Sequence, residues 1–211
     1  LQLQRFKQFR NQTIELRPRG ITLVAGGNNS GKSSLLHAAA VWEFCRTAIE
    51  MERGSGAFAA SSSTQGLGLG DDEFSPIAVP SLKHLWTNLK TGREDGDPDG
   101  YTLRIRCDWD ESGIERHLQF GLALANDRLF LKVTDSNIDT TSSLPVFAYL
   151  PPFAGITDRE MRLPEAIRRR RIGEGLAGAV LRNLLLDMYE GNIEARRSFR
   201  GDRSKISDVD L

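Results

Sequence analysis

The eight residues Gly26-Gly27-Asn28-Asn29-Ser30-Gly31-Lys32-Ser33 constrain this chain more than any other feature. They satisfy G-x-x-x-x-G-K-[ST], the pattern of a phosphate-binding loop. An apolar run at 21–25 (Ile-Thr-Leu-Val-Ala) leads straight in. Leu35, Ala39, Trp42, Cys45 and Ile49 recur at helical spacing straight after. The order predicts a buried strand at 21–25, a tight loop and one helix over 32–52. A chance glycine-rich loop has no reason to carry Lys-Ser and both flanking elements in this order.

Each residue type in the loop has a chemical reason. Glycines let backbone N–H groups curl around an anion with no Cβ in the way. Lys32 is placed to neutralise the β- and γ-phosphates of a nucleotide and is the candidate catalytic residue. The Ser33 hydroxyl suits Mg²⁺. The helix that follows directs its positive end at the phosphates. The candidate nucleotide-binding set is Gly26, Gly27, Asn28, Asn29, Ser30, Gly31, Lys32, Ser33 and Ser34.

Around this core the pattern changes several times. Residues 2–9 and 13–16 read as short strands about a turn at Arg10-Asn11-Gln12. Of the 17 residues from 54 to 70, nine are Gly or Ser, which predicts a flexible loop or lid. Residues 71–99 are irregular and acidic, with a short helix expected around 82–89. The period then becomes two: Tyr101, Leu103, Ile105, Cys107 and Trp109; then Leu118, Phe120, Leu122 and Leu124; then Leu129, Leu131 and Val133. Turns at 110–113 and Asn126-Asp127 join them into an antiparallel meander. A further apolar run at 146–150 reads as a return strand, stopped by Pro151-Pro152. A helix is expected over 175–189. The domains read as a strand-loop-helix core (1–53), an insertion or lid (54–99), a β-subdomain with return strand (100–150) and a basic helical segment (151–211).

Lys plus Arg and Asp plus Glu are 28 each, so the formal net charge is zero. This excludes a generically basic nucleic-acid binder but not a local patch. Charge is segregated: residues 71–111 hold 5 basic and 10 acidic groups, and 158–205 hold 12 basic and 8 acidic. Arg168, Arg169, Arg170 and Arg171 form the densest run. It suits phosphate contact with DNA or RNA, or else a solvated face or a contact with another segment. Two cysteines, Cys45 and Cys107, give no metal-site spacing and fit a reducing compartment. No run approaches the roughly 18 apolar residues of a membrane span, and no signal peptide opens the chain. The expected setting is cytoplasmic, with no membrane contact. His37, His84 and His117 show no ligand spacing; His37 reads as a surface or half-buried helix residue. Residue 1 is Leu and the chain stops in a charged stretch, which suggests a piece of a longer protein.

The stretch Phe6-Lys7-Gln8-Phe9-Arg10-Asn11, then Ile14-Glu15-Leu16, the 21–25 run and Gly-Gly-Asn-Asn-Ser-Gly-Lys-Ser-Ser-Leu-Leu resembles the start of the ABC-type ATPases of the SMC, Rad50, RecF and OLD-like group, bacterial AAA-family P-loop NTPases. The resemblance covers about residues 1–50. The meander resembles the group's β-subdomain in pattern, and 146–152 resembles a strand with a trailing Y-x-P-P.

The resemblance implies an α/β P-loop NTPase, here its amino-terminal lobe, with an antiparallel β-subdomain and a helical tail. It implies Mg²⁺-dependent ATP hydrolysis in a homodimer or higher oligomer, coupled to DNA repair or defence against phage. It also places Lys7 to Asn11 near the nucleotide's base or sugar edge. The departures are equally informative. Asp72-Glu73 and Asp110-Glu111 follow no apolar run, Leu184-Leu185-Leu186-Asp187 sits in a helical stripe, and no L-S-G-G signature is present. Gln65 and Gln119 are poor matches to the group's Q-loop. The chain thus reads as half of a split head, completed by a carboxyl-terminal half and inactive alone. The alternative is a nucleotide-gated module that recruits a nuclease or other effector with little turnover. A GTPase lacks its guanine-recognition motif here, and the F-x-x-F lead-in speaks against a small-molecule kinase.

Overall fold

The computed structural model describes residues 1–17, 20–59, 65–150, 160–173 and 176–202. The described chain falls into two compact units, 1–149 and 150–211.

The first unit is built on one six-stranded, wholly antiparallel sheet. Its strands are β1 (Gln2–Phe6), β2 (Phe9–Thr13), β3 (Leu67–Leu69), β4 (Leu103–Glu111), β5 (Ile114–Ala125) and β6 (Arg128–Ser136), in the order β2-β1-β4-β5-β6-β3. The period-two residues set the register. Leu103 faces Leu122, Ile105 faces Phe120 and Cys107 faces Leu118 across β4 and β5. Leu122 faces Leu131 across β5 and β6. These side chains point to one face of the sheet and are buried there.

Helix α1 (Lys32–Arg53) covers that face. Leu35, Ala38, Trp42, Cys45 and Ile49 form its buried stripe at intervals of three and four, with Ala40 and Val41 buried beside them. Trp42 is the anchor. Its ring is fully buried, lies edge-on to Phe120 and Phe147, and its Nε1 donates to the Leu118 carbonyl at 3.2 Å. The buried indole N–H is thereby satisfied, which a core tryptophan needs.

Four stretches depart from the sequence expectation. The β1–β2 turn falls at Lys7-Gln8, not at residues 10–12, and Lys7 takes a positive φ of 49°. The 54–99 stretch, expected as a flexible insertion or lid, contributes Phe58, Leu69, Phe74, Ile77, Leu82, Leu85 and Trp86 to the core. Its acidic end grips β1, where Arg5 donates to Asp97 and Glu94, each at 2.9 Å. The helix expected around 82–89 is instead two 3-10 turns, Leu82–Leu85 and Thr87–Leu89. Residues 60–64, in the Gly/Ser-rich part, lie outside the description.

The third departure bears most on the site. Residues 21–25 form no strand, and Ile21 and Leu23 are each 87% exposed. An apolar run becomes a strand only where a neighbour offers backbone groups and cover. Among the described residues β2 pairs only with β1. Likewise 146–150 is not a strand; Phe147 packs towards the core while Val146 is 72% exposed. Pro151-Pro152 lie outside the described residues.

In the second unit, α2 (Glu165–Gly173) and α3 (Leu181–Asp202) are joined through a 3-10 turn, Ala177–Ala179. The Glu160 carboxylate accepts the backbone N–H groups of Arg182 and Asn183 at 2.9 and 2.7 Å, satisfying the start of α3. Burial raises the Glu160 pKa, but the hydrogen bonds from Asn183, the Arg182 N–H and the Arg182 charge together hold it below its ordinary carboxyl range. No helix among the described residues is long and apolar enough to cross a membrane.

Candidate functional site

The candidate site is the start of α1. Its N-cap is Gly31, at φ 96° and ψ 4°, and no acidic residue occupies the first turn. Most helices close this end with a Ser, Thr, Asp or Asn side chain. Here the Leu35 N–H donates to the Gly31 carbonyl at 2.9 Å as the first helical bond. The N–H groups of Lys32, Ser33 and Ser34 precede that ladder and face outward at the positive end of the helix. An anion is the natural partner for such an end.

Gly31 is required by its positive φ and by space, while Gly26 is confined by space alone. A Cβ on Gly31 would overlap the Gln8 amide and come within 2.8 Å of the Phe9 ring, and one on Gly26 would meet Ser30 Oγ at 2.6 Å. Gly26, Gly27, Asn28, Asn29 and Ser30 are all exposed, and Asn29 also takes a positive φ, 63°.

Lys32 folds back over this loop. Its Nζ donates to the carbonyls of Gly26 and Gly27 at 2.8 and 2.6 Å, with Ser30 Oγ at 3.5 Å. These partners are neutral, so they leave the ammonium charge uncompensated for a phosphate. A cavity of about 440 Å³ adjoins the loop, lined by Phe9, Ile14, Leu23, Val24, Ser30 and Lys32 among others. Ser33 is exposed at the first turn of α1. No group of three or more His, Cys, Asp or Glu side chains among the described residues could hold a metal. One hydroxyl beside a phosphate site fits Mg²⁺, which keeps waters and takes phosphate oxygens as ligands.

The β1–β2 turn lies against this helix start. Gln8 Oε1 accepts from Ser34 Oγ at 3.3 Å. Lys7 Nζ lies 2.6 Å from His37 Nδ1, and His37 Nε2 lies 3.2 Å from the Tyr149 hydroxyl. Burial, and then the Lys7 charge, press the His37 pKa down to about 4. Burial also lowers that of Lys7 and raises that of Tyr149. Gln8 lies within the 7–11 stretch that the resemblance places near the nucleotide, whereas His37 and Tyr149 were not among the candidates from sequence. The available signal was the spacing of His37 four residues after Ser33, which puts both on one helix face.

No described carboxylate takes the place of a Walker B pair. Asp71–Glu73 is a 3-10 turn. Asp110-Glu111 closes β4, where Glu111 is held by Arg116 at 3.1 Å. Leu184 to Asp187 lie within α3, as the helical stripe predicts. Asp187 pairs there with Arg162 at 3.0 Å and with Arg168.

The arginine run is divided by α2. Arg168 is buried, held by Asp187 and the Leu163 carbonyl. Arg169 pairs with Glu165 at 2.6 Å, and Arg169, Arg170 and Arg171 are exposed.

A family model described as an AAA domain matches residues 1–61. The matched stretch spans β1, β2, the glycine-rich loop and α1. This part of the chain is similar to an AAA-type, ATPase-like domain, and the similarity supports ATPase-type nucleotide binding. No curated protein and no solved structure matches the chain.

Proposed function

We propose that residues 1–211 are the ATP-binding half of an ABC-type ATPase head of the SMC, Rad50 and OLD-like kind. One observation carries the reading: a long helix opens on a glycine with no side-chain cap, and the neighbouring lysine rests only on neutral loop oxygens. In this reading the N–H groups from Gly27 to Ser33 cradle the phosphates. Lys32 leaves the Gly26 and Gly27 carbonyls for the β- and γ-phosphate oxygens. Lys7, two residues before Phe9 of the cavity wall, adds a second cation. Mg²⁺, held through Ser33 and arriving with the nucleotide, neutralises charge on the leaving phosphates.

Hydrolysis is assigned to a completed head. The exposed apolar run at 21–25, with Val146 and Leu150 of the half-covered run at 146–150, offers the surfaces on which a carboxyl-terminal half would build strands, and that half would bring the water-positioning carboxylate. Dimerisation through the nucleotide, and work in DNA repair or phage defence, follow from the same resemblance. DNA or RNA contact along α2 narrows to Arg169, Arg170 and Arg171, since Arg168 is engaged inside the unit. A second reading, a nucleotide-gated module that recruits an effector with little turnover, is favoured by the engagement of both Asp-Glu pairs in local structure.

Calorimetric titration with ADP tests the binding site. Lys32→Ala should weaken binding at least about 10-fold, the scale of one charge-assisted contact. Equal affinity in both proteins would show that the phosphates lie elsewhere.

A further inference from the structure

The contact between Lys7 and His37 links two basic groups, and its chemistry fixes more than the distance does. An ammonium can only donate, so His37 Nδ1 must be the acceptor across the 2.6 Å gap. A neutral imidazole accepting at Nδ1 carries its proton on Nε2. That proton then points at the Tyr149 oxygen, 3.2 Å away, and leaves the Tyr149 hydroxyl proton free for another acceptor. The Tyr149 ring also braces the imidazole edge-on, with centroids 5.6 Å apart and planes at 86°. Three separate pieces of chain therefore meet at His37: the β1–β2 turn, the second turn of α1 and the segment before residue 150.

The turn itself is pinned on its other side. Gln8 accepts from Ser34 and covers the Gly31 Cα where a side chain would overlap it. A lysine stem is otherwise free to sample many rotamers. Here its backbone is set at a positive φ and its end is tied to a ring that cannot donate at the contacted nitrogen.

We propose that His37 is a positioning residue, whose Nδ1 holds the Lys7 ammonium at the second turn of α1 while its Nε2–H ties the ring to Tyr149. Lys7 is thus presented to an incoming phosphate from a fixed place. The same ring passes any movement of Lys7 to the 144–149 segment. The role assigned to Lys7 rests on the reading of the loop as a phosphate site. The tautomer and the two contacts do not.

Long-range nitrogen–proton NMR of the histidine rings in the 211-residue chain at pH 7 tests the arrangement directly. The His37 signals, assigned by their loss in His37→Asn, should have the pattern of the neutral Nε2–H tautomer. Lys7→Met should shift Nδ1 and Tyr149→Phe should shift Nε2, the latter with the aromatic ring kept. An Nδ1–H tautomer, an imidazolium, or resonances indifferent to both substitutions would overturn the proposal.

ADP titration then separates the positioning role from the loop itself. His37→Leu should weaken ADP by about 3- to 10-fold, the usual scale for one ordinary hydrogen bond. His37→Asn, which keeps an acceptor near the Nδ1 position, should recover most of that loss. If Lys32→Ala weakens ADP and His37→Leu does not, the phosphate site stands and the positioning role is wrong. If Lys32→Ala has no effect, the phosphate reading fails instead, and the NMR pattern still decides how His37 is held.

Discussion

A side chain at position 31 would meet two obstacles at once. The backbone sits at φ 96°, where L-residues are strained, and a Cβ would run into Gln8 and Phe9. Gly31→Ala should therefore cost about 1–3 kcal/mol and should also loosen the turn from the loop. Urea denaturation reads the first effect and ADP titration the second; an unchanged midpoint would contradict the packing described. His37 gives a pH prediction. Its folded pKa of about 4 lies below the ordinary 6.5. Between those values the unfolded chain takes up a proton that the folded chain does not. The contribution is fully present above about pH 6.5 and is lost as pH falls towards 4. In a His37→Gln variant this component is absent. The stability gap between the two proteins should narrow on acidification, as measured by urea midpoints from pH 7 to 4.5. A gap that widens would place a charged imidazole in the folded state.

At the scale of elements, α1 depends on Trp42. Its removal takes away a fully buried ring, two aromatic contacts and one hydrogen bond. Trp42→Ala should cost about 3–5 kcal/mol, read by chemical denaturation; a loss under 1 kcal/mol would mean that the helix is held by something else. Helix α1 and the β4–β6 meander were legible from period alone because each is a regular element with one buried face. The glycine-rich loop stands out because a phosphate-binding pattern calls for particular residues in a particular order, and the structure puts those residues at the start of α1. Other parts were not. The turn at Lys7-Gln8 has no glycine, proline or aspartate to announce it, and a positive φ at lysine leaves no mark on composition. The run at 21–25 reads as a strand only on the assumption that a neighbour pairs with it. Strand β3 hides in a glycine-rich stretch where Leu67 and Leu69 alone carry the alternation. The contact from His37 to Tyr149 spans 112 positions, and no local pattern encodes such a meeting.

At the scale of the whole molecule, Ile21, Leu23 and Val146 leave large apolar side chains exposed outside the core. Ile21→Ser with Leu23→Ser should leave the urea midpoint nearly unchanged, within the roughly 0.5 kcal/mol usual for surface changes. The same pair should reduce self-association in sedimentation experiments, because exposed apolar patches drive it. A large loss of stability would mean that these residues are buried in the chain as it stands. The central claim is that this chain binds ATP and lacks the groups that hydrolyse it. Phosphate release from highly purified 1–211 tests that claim most directly, alone and with a carboxyl-terminal half supplied by fusion or as a second chain. The account predicts no turnover above background for the chain alone, turnover once the second half is present, and loss of that turnover with Lys32→Ala. Turnover by the chain alone at the rate of the completed protein, and sensitive to Lys32→Ala, would contradict it, because the catalytic carboxylate would then lie within these 211 residues.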